Sequence, residues 1–152
     1  MINKVLVSSC LLGDAVRYDA SSNLIQHDFL ELLIREDKII KVCPEVMGGL
    51  SIPRPAAEIQ SNKVFNILQV EVTPEFSIGA EIALSMATKH NIKLAILKAN
   101  SPSCSNQHIY DGSFNGKLIE GMGITAALLS RCGIKVFNEF QLDEAQKFYQ
   151  LI

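Results

Sequence analysis

The sequence predicts an α/β protein: a single-domain, Rossmann-like, three-layer fold in which helices cover both faces of a mainly parallel sheet. Three observations carry that expectation. Short β-branched apolar runs recur along the chain, helical segments separate them, and Pro, Gly or Asn bounds those segments. Strands that alternate with helices form βαβ units with right-handed crossovers. The chain has 152 residues, 48% of them hydrophobic, enough to bury one core, so residues 1–152 are expected to form one domain.

The elements follow in order. "KVLVS" (4–8) is the first strand. "QHDFLELLIRE" (26–36) sets Phe29, Leu30, Leu33 and Ile34 on one helical face. "KIIKVC" (38–43) returns as the second strand. Residues 44–74 are irregular, with a short hairpin in "KVFNILQVEV", and a loop of that length in a small domain usually covers a site. "FSIGAEIALSMATKHN" (76–91) reads as an amphipathic helix with Ile78, Ile82 and Met86 inward, started by Pro74 and Glu75. "IKLAILK" (92–98) is the third strand, and "IYDGSF" is a turn between short strands. "GITAALLSRCG" (123–133) is a helix stopped by Gly133, "IKVF" (134–137) the fourth strand, and "LDEAQKFYQL" (142–151) the closing helix.

The net charge of −2 argues against a grip on a nucleic-acid polymer or an anionic membrane surface, though not against a single base in a pocket. No window reaches the length of a membrane span, and the N-terminus lacks the long apolar region of a signal peptide, so the cytoplasm is expected.

The four cysteines form no CxxC pair, which sets aside zinc-ribbon and thioredoxin signatures. Cys10, Cys43 and Cys104 instead fall at or just beyond the carboxyl ends of three strands, the edge where parallel sheets bind ligands. Cys132 sits in the last turn of a helix and is expected to be structural. Three thiolates from separate loops suit a soft metal: zinc with one open position, or a cubane iron–sulfur cluster with one iron free of protein ligands. Spacing alone leaves both open.

The segments "SSCLLGDAVRYDA", "VCPEVMGGLSIPRPAAEI" and "LKANSPSCSNQHIYDGSF", with the ending "GITAALLSRCGIKVFNE", resemble the thiouracil desulfidase family over essentially the whole chain. The resemblance implies a [4Fe-4S] cluster held by Cys10, Cys43 and Cys104, with the open iron taking substrate sulfur. It also implies removal of that sulfur from a thiolated pyrimidine such as 2-thiouracil, as a free base or a nucleotide. Two departures bear on substrate choice: Ser105-Asn106-Gln107-His108, where the family is richer in glycine, and the apolar stretch from Val64 to Val72.

The implied reaction replaces sulfide by water with no net electron transfer, so it needs a Lewis acid and a base. Glu45, two residues past Cys43 and stiffened by Pro44, is the expected base. Ser101 is the expected second catalytic residue, and Ser103 is assigned with it to the base edge or the metal centre, against ordinary turn chemistry. Arg17 and Arg54 are candidates for a substrate phosphate, against structural ion pairs with Asp19 or Glu58. Lys98 either faces water or offsets cluster charge, and His108 is either a ligand or a solvated loop residue. The alternatives are a zinc-dependent hydrolase using the same cysteines and a nonenzymatic metal-binding or redox-sensing module. Gly121-x-Gly123-x-x-Ala126 with Glu139 approaches a dinucleotide fingerprint, but the "KLIE" before it is half polar where a buried strand is needed. Gly123 is better read as the entry of a helix whose N-terminal dipole faces the cluster.

Overall fold

The computed structural model describes residues 3–152. Its centre is a four-stranded sheet of β1 (Val5–Ser8), β2 (Ile39–Val42), β5 (Leu94–Ile96) and β8 (Lys135–Phe137). The order is β2-β1-β5-β8, and every neighbouring pair is parallel, with Val5 beside Ile39, Leu6 beside Ala95 and Leu94 beside Lys135. This is the predicted sheet. The remaining strands form two antiparallel hairpins, β3 (Ala57–Gln60) with β4 (Lys63–Asn66), and β6 (His108–Tyr110) with β7 (Leu118–Glu120).

The sheet divides the core in two, because alternate residues of one strand face opposite sides. Val5, Val7, Leu94, Ile96 and Phe137 pack against α1 (Asp28–Arg35) and α5 (Leu142–Leu151). Leu6, Val42, Ala95 and Val136 pack on the other face, against α3 (Thr73–Lys89) and α4 (Ile124–Arg131). β1 is fully buried on both sides, which is why it reads as an unbroken apolar run. The layers are therefore helix, sheet and helix, as expected.

The helical faces differ from expectation at three positions. Ile34 is 55% exposed, and α1 buries Phe29, Leu30 and Leu33 without it. In α3, Ile78 and Ile82 are exposed, and the buried seam is Phe76, Gly79, Ala80, Ala83 and Ala87. The cause is close packing. The short helix α2 (Pro44–Met47) lies against α3 so tightly that a Cβ on Gly79 would stand 1.9 Å from the Pro44 carbonyl oxygen. A Cβ on Gly48 would meet the Glu75 carbonyl oxygen at the same 1.9 Å. Large side chains cannot enter that gap, so the isoleucines turn outward.

This contact sets where the site forms, because Cys43 caps α2 and Glu45 lies in its first turn. Gly79→Ala is expected to destabilise the metal-free chain by about 1–3 kcal/mol in urea denaturation, even though alanine favours helix by about 1 kcal/mol. The clash is with backbone, which cannot rotate away.

The hairpin expected within residues 63–72 is part of a larger unit. β4 pairs with β3, and the chain folds back again through a bridge from Phe65 to Glu71. Its apolar tip, Ile67, Leu68 and Val70, is exposed. Buried Glu58 ties the two hairpins together by accepting the Gly112 and Phe114 amides at 2.9 and 3.1 Å.

Candidate functional site

Strand order reverses around β1, whose two neighbours, β2 and β5, both follow it in sequence. The carboxyl ends diverge there and leave a crevice. Ser8, the last residue of β1, accepts the Lys98 amide across this gap at 3.0 Å. A cavity of about 400 Å³ opens beyond it.

All eight predicted site residues line this one cavity: Cys10, Cys43, Cys104, Glu45, Ser101, Ser103, Arg17 and Arg54. Cys10 arrives on a 3-10 turn (Ser9–Leu12) closed by Gly13 at φ 101°, a backbone state that glycine adopts freely. Cys43 follows β2 directly, held by Pro44 at the start of α2. Cys104 comes on a turn entered through Asn100, whose φ of 63° lies in the left-handed region that Asn tolerates. All four cysteines are free thiols. Cys132 is the exposed C-terminal cap of α4 and does not line the cavity.

Burial dominates the thiol chemistry. It pushes Cys104 up to about 12, against the opposing pull of hydroxyls from Ser103 and Ser8. Burial also raises Cys10 to about 11, helped by the neighbouring Cys43 thiol and opposed by Lys98 and Arg17. Cys43 is raised by burial as well. All three are therefore protonated at neutral pH, and a metal entering here must displace those protons.

The donor set fits a thiophilic metal group. Three thiols line a common space, a soft donor set of the kind that zinc or an iron–sulfur cluster takes. Cys104 Sγ has two hydroxyl partners, Ser8 Oγ at 3.5 Å and Ser103 Oγ at 3.4 Å. Ser8 was not anticipated from the sequence. Its only signal there is a hydroxyl ending an otherwise apolar strand, just before a cysteine.

Glu45 is not a surface loop carboxylate. Its side chain is 15% exposed, with Oε1 3.0 Å from Arg54 Nε and Oε2 accepting Ser103 Oγ at 3.0 Å. Arg54, expected to meet substrate phosphate, Asp19 or Glu58, is committed to Glu45 and to the carbonyls of Ser51 and Val16 at 3.1 and 3.0 Å. Arg17 donates to Ser21 Oγ at 3.2 Å and lies over the Tyr18 ring. Asp19 also bonds Ser21. Lys98 lines the cavity with its ammonium 3.0 Å from Glu139 Oε2, on a carboxylate that also accepts the Ala99 amide at 2.7 Å.

That engagement takes Glu139 away from any ribose, and β7, which precedes the Gly121–Gly123 turn, is exposed along its length in a hairpin outside the main sheet. The dinucleotide reading has no support in this geometry. The helix N-terminus expected to face the cluster does not itself line the cavity. The amides of Gly123, Ile124, Thr125 and Ala126 donate to the carbonyls of Ser105, Pro102 and Ser103, so they fasten the Cys104 loop instead. A Cβ on Gly123 would lie 2.5 Å from the Ser103 carbonyl carbon, so only glycine permits this approach. Ser105 to His108 do not line the cavity: Ser105 binds the His108 amide at 3.2 Å, Asn106 caps the Val136 carbonyl of β8 at 3.1 Å, and His108 is exposed.

The fold and site together define an α/β protein with a thiol-lined cavity at the switch point of a parallel sheet. The chain belongs to the 2-thiouracil desulfurase family, whose model matches residues 5–141. It is similar to a solved [4Fe-4S]-dependent thiouracil desulfidase, TudS, at 45% identity and a TM-score of 0.97, with 99% of each chain covered. It is also 39% identical over 150 residues to the uncharacterized protein YbbK of Bacillus subtilis (strain 168), covering 92% of this chain and 98% of that one. Among the described residues no helix is long and apolar enough to cross a membrane.

Proposed function

We propose that residues 1–152 act as one cytoplasmic desulfidase domain that removes sulfur from a thiolated pyrimidine such as 2-thiouracil, using a [4Fe-4S] cluster held by Cys10, Cys43 and Cys104. The observation that carries the reading is the gathering of these three thiols and Glu45 around one cavity. Likeness to the cluster-dependent desulfidase supports the choice of cofactor. When bound, the cluster supplies an iron free of protein ligands, a Lewis acid for the substrate sulfur.

The chain's own residues do the rest. One water gives its oxygen to the thiocarbonyl carbon, and both its protons leave with the sulfur as hydrogen sulfide, so no electrons are exchanged. Glu45 receives the first of those protons as the water attacks. Arg54 and Ser103 hold its two oxygens, which keeps the carboxylate from swinging away. The hydroxyl of Ser8 supports Cys104, a partner of the kind that tunes a metal centre. With Arg54 committed to Glu45, the reading favours a free base over a nucleotide, and Arg17 is left as the arginine for substrate contact. Free thiols and an open iron suit a reducing compartment.

Chain produced and reconstituted without air is expected to hold about four irons and four sulfides, with blue-region absorption, and to release sulfide from 2-thiouracil. Stoichiometric zinc in a colourless protein would replace this reading with a zinc-dependent hydrolase.

A further inference from the structure

Ser101 Oγ accepts the backbone N–H groups of both Ser103 and Cys104, each at 3.1 Å. A hydroxyl oxygen has two lone pairs, so these bonds fill it. The 3.0 Å contact between Ser101 Oγ and Ser103 Oγ then has only one polarity: Ser101 donates and Ser103 accepts. The Ser103 proton is left with two possible acceptors, Glu45 Oε2 at 3.0 Å and Cys104 Sγ at 3.4 Å. The carboxylate oxygen is nearer and charged, which makes it the stronger acceptor.

Ser103 cannot drift from this position. The residue is 2% exposed, and its carbonyl accepts the Thr125 and Ala126 amides at 2.8 and 3.1 Å. On the far side of the carboxylate, Arg54 holds Oε1, and Arg54 is itself pinned by two carbonyls and by its amide bond to Tyr18 O at 2.7 Å.

We infer that Ser103 is a positioning residue for Glu45: its hydroxyl, given direction by Ser101, fixes Oε2 while Arg54 fixes Oε1. Ser101, which also lines the cavity, supports Ser103 through this contact. The inference rests on the proposed role of Glu45 as the base.

The test combines Ser103→Ala, Ser103→Thr, Glu45→Gln and the Ser103→Ala/Glu45→Gln double variant, all reconstituted without air. Iron content and the kcat and KM of sulfide release from 2-thiouracil are measured on each. The ¹³C carboxyl resonance of Glu45 is followed in the metal-free full chain. Ser103→Ala is expected to lower kcat about 10²-fold with KM and iron unchanged, the usual effect of a misplaced catalytic group. It also shifts the Glu45 resonance, and Ser103→Thr restores both. In the Glu45→Gln background Ser103→Ala adds no further loss, since the two act as one unit.

Parental kcat with an unmoved resonance in Ser103→Ala overturns the inference, as do additive losses in the double variant. Loss of iron that Ser103→Thr does not restore also overturns it, by assigning the hydroxyl to Cys104. A parental rate in Glu45→Gln instead overturns the base reading, and the resonance then still reports whether Ser103 orients the carboxylate.

Discussion

Cys104→Ser is expected to yield a folded, colourless chain that retains no stoichiometric iron and releases no sulfide. Serine nearly preserves the volume of the side chain, and the Ser8 and Ser103 hydroxyls beside it remain able to bond an oxygen. The fold therefore survives, and far-UV circular dichroism should match the parent. What changes is ligand character: a hard, weakly acidic hydroxyl replaces a thiol in a site built for a soft metal. Losing a mere outer-shell partner of a metal ligand costs about 10–100-fold in affinity. Losing one of the three proposed ligands costs more, and occupancy at assay concentrations should fall to background. Cys132→Ala serves as the control, with iron and turnover at parental levels, because that thiol is exposed at the end of α4. Stoichiometric iron in Cys104→Ser, or its loss in Cys132→Ala, would show that the four thiols are sorted wrongly.

That Cys10, Cys43 and Cys104 share one cavity was legible because a parallel sheet has a direction. Once the apolar runs at 4–8, 38–43 and 92–98 are strands, the residues after them share one rim, however far apart they lie in sequence. Side-chain partners at the rim were less legible. Arg54 reaches Glu45 across a nine-residue excursion, and no periodicity relates the two positions. Nor does spacing show that Ser103, rather than Ser101, meets the carboxylate, since that depends on which lone pairs the turn fills. The face of α3 failed for another reason. Ile78, Ile82 and Met86 repeat at helical spacing, and so do Gly79, Ala83 and Ala87. Hydropathy favours the first set, but Gly79 lies against Pro44 where no side chain fits, and Ala83 and Ala87 continue that buried seam. Interhelical distance, not hydrophobicity, decided which face turned inward.

Glu45→Gln is expected to keep the iron and lose turnover, with kcat down about 10²–10⁴-fold, the range that a positioned general base contributes. The amide is nearly isosteric and cannot take a proton from water at neutral pH. Its single carbonyl oxygen must choose between Arg54 and Ser103, whereas the carboxylate serves both. The Arg54 side chain is only 6% exposed, so losing its anion also carries a stability cost. That cost is about 3 kcal/mol, the low end for breaking a buried pair, because the Ser51 and Val16 carbonyls still accept from the guanidinium. A weaker fold could itself lower the measured rate, so kcat is compared at a temperature where denaturation curves show both proteins fully folded. Substrate affinity provides a second separation. If Glu45 serves the transition state alone, KM stays near the parental value while kcat falls. A rise in KM at constant kcat would instead make the carboxylate a handle for the pyrimidine edge. Parental turnover with iron intact would move the proton acceptor elsewhere on the rim.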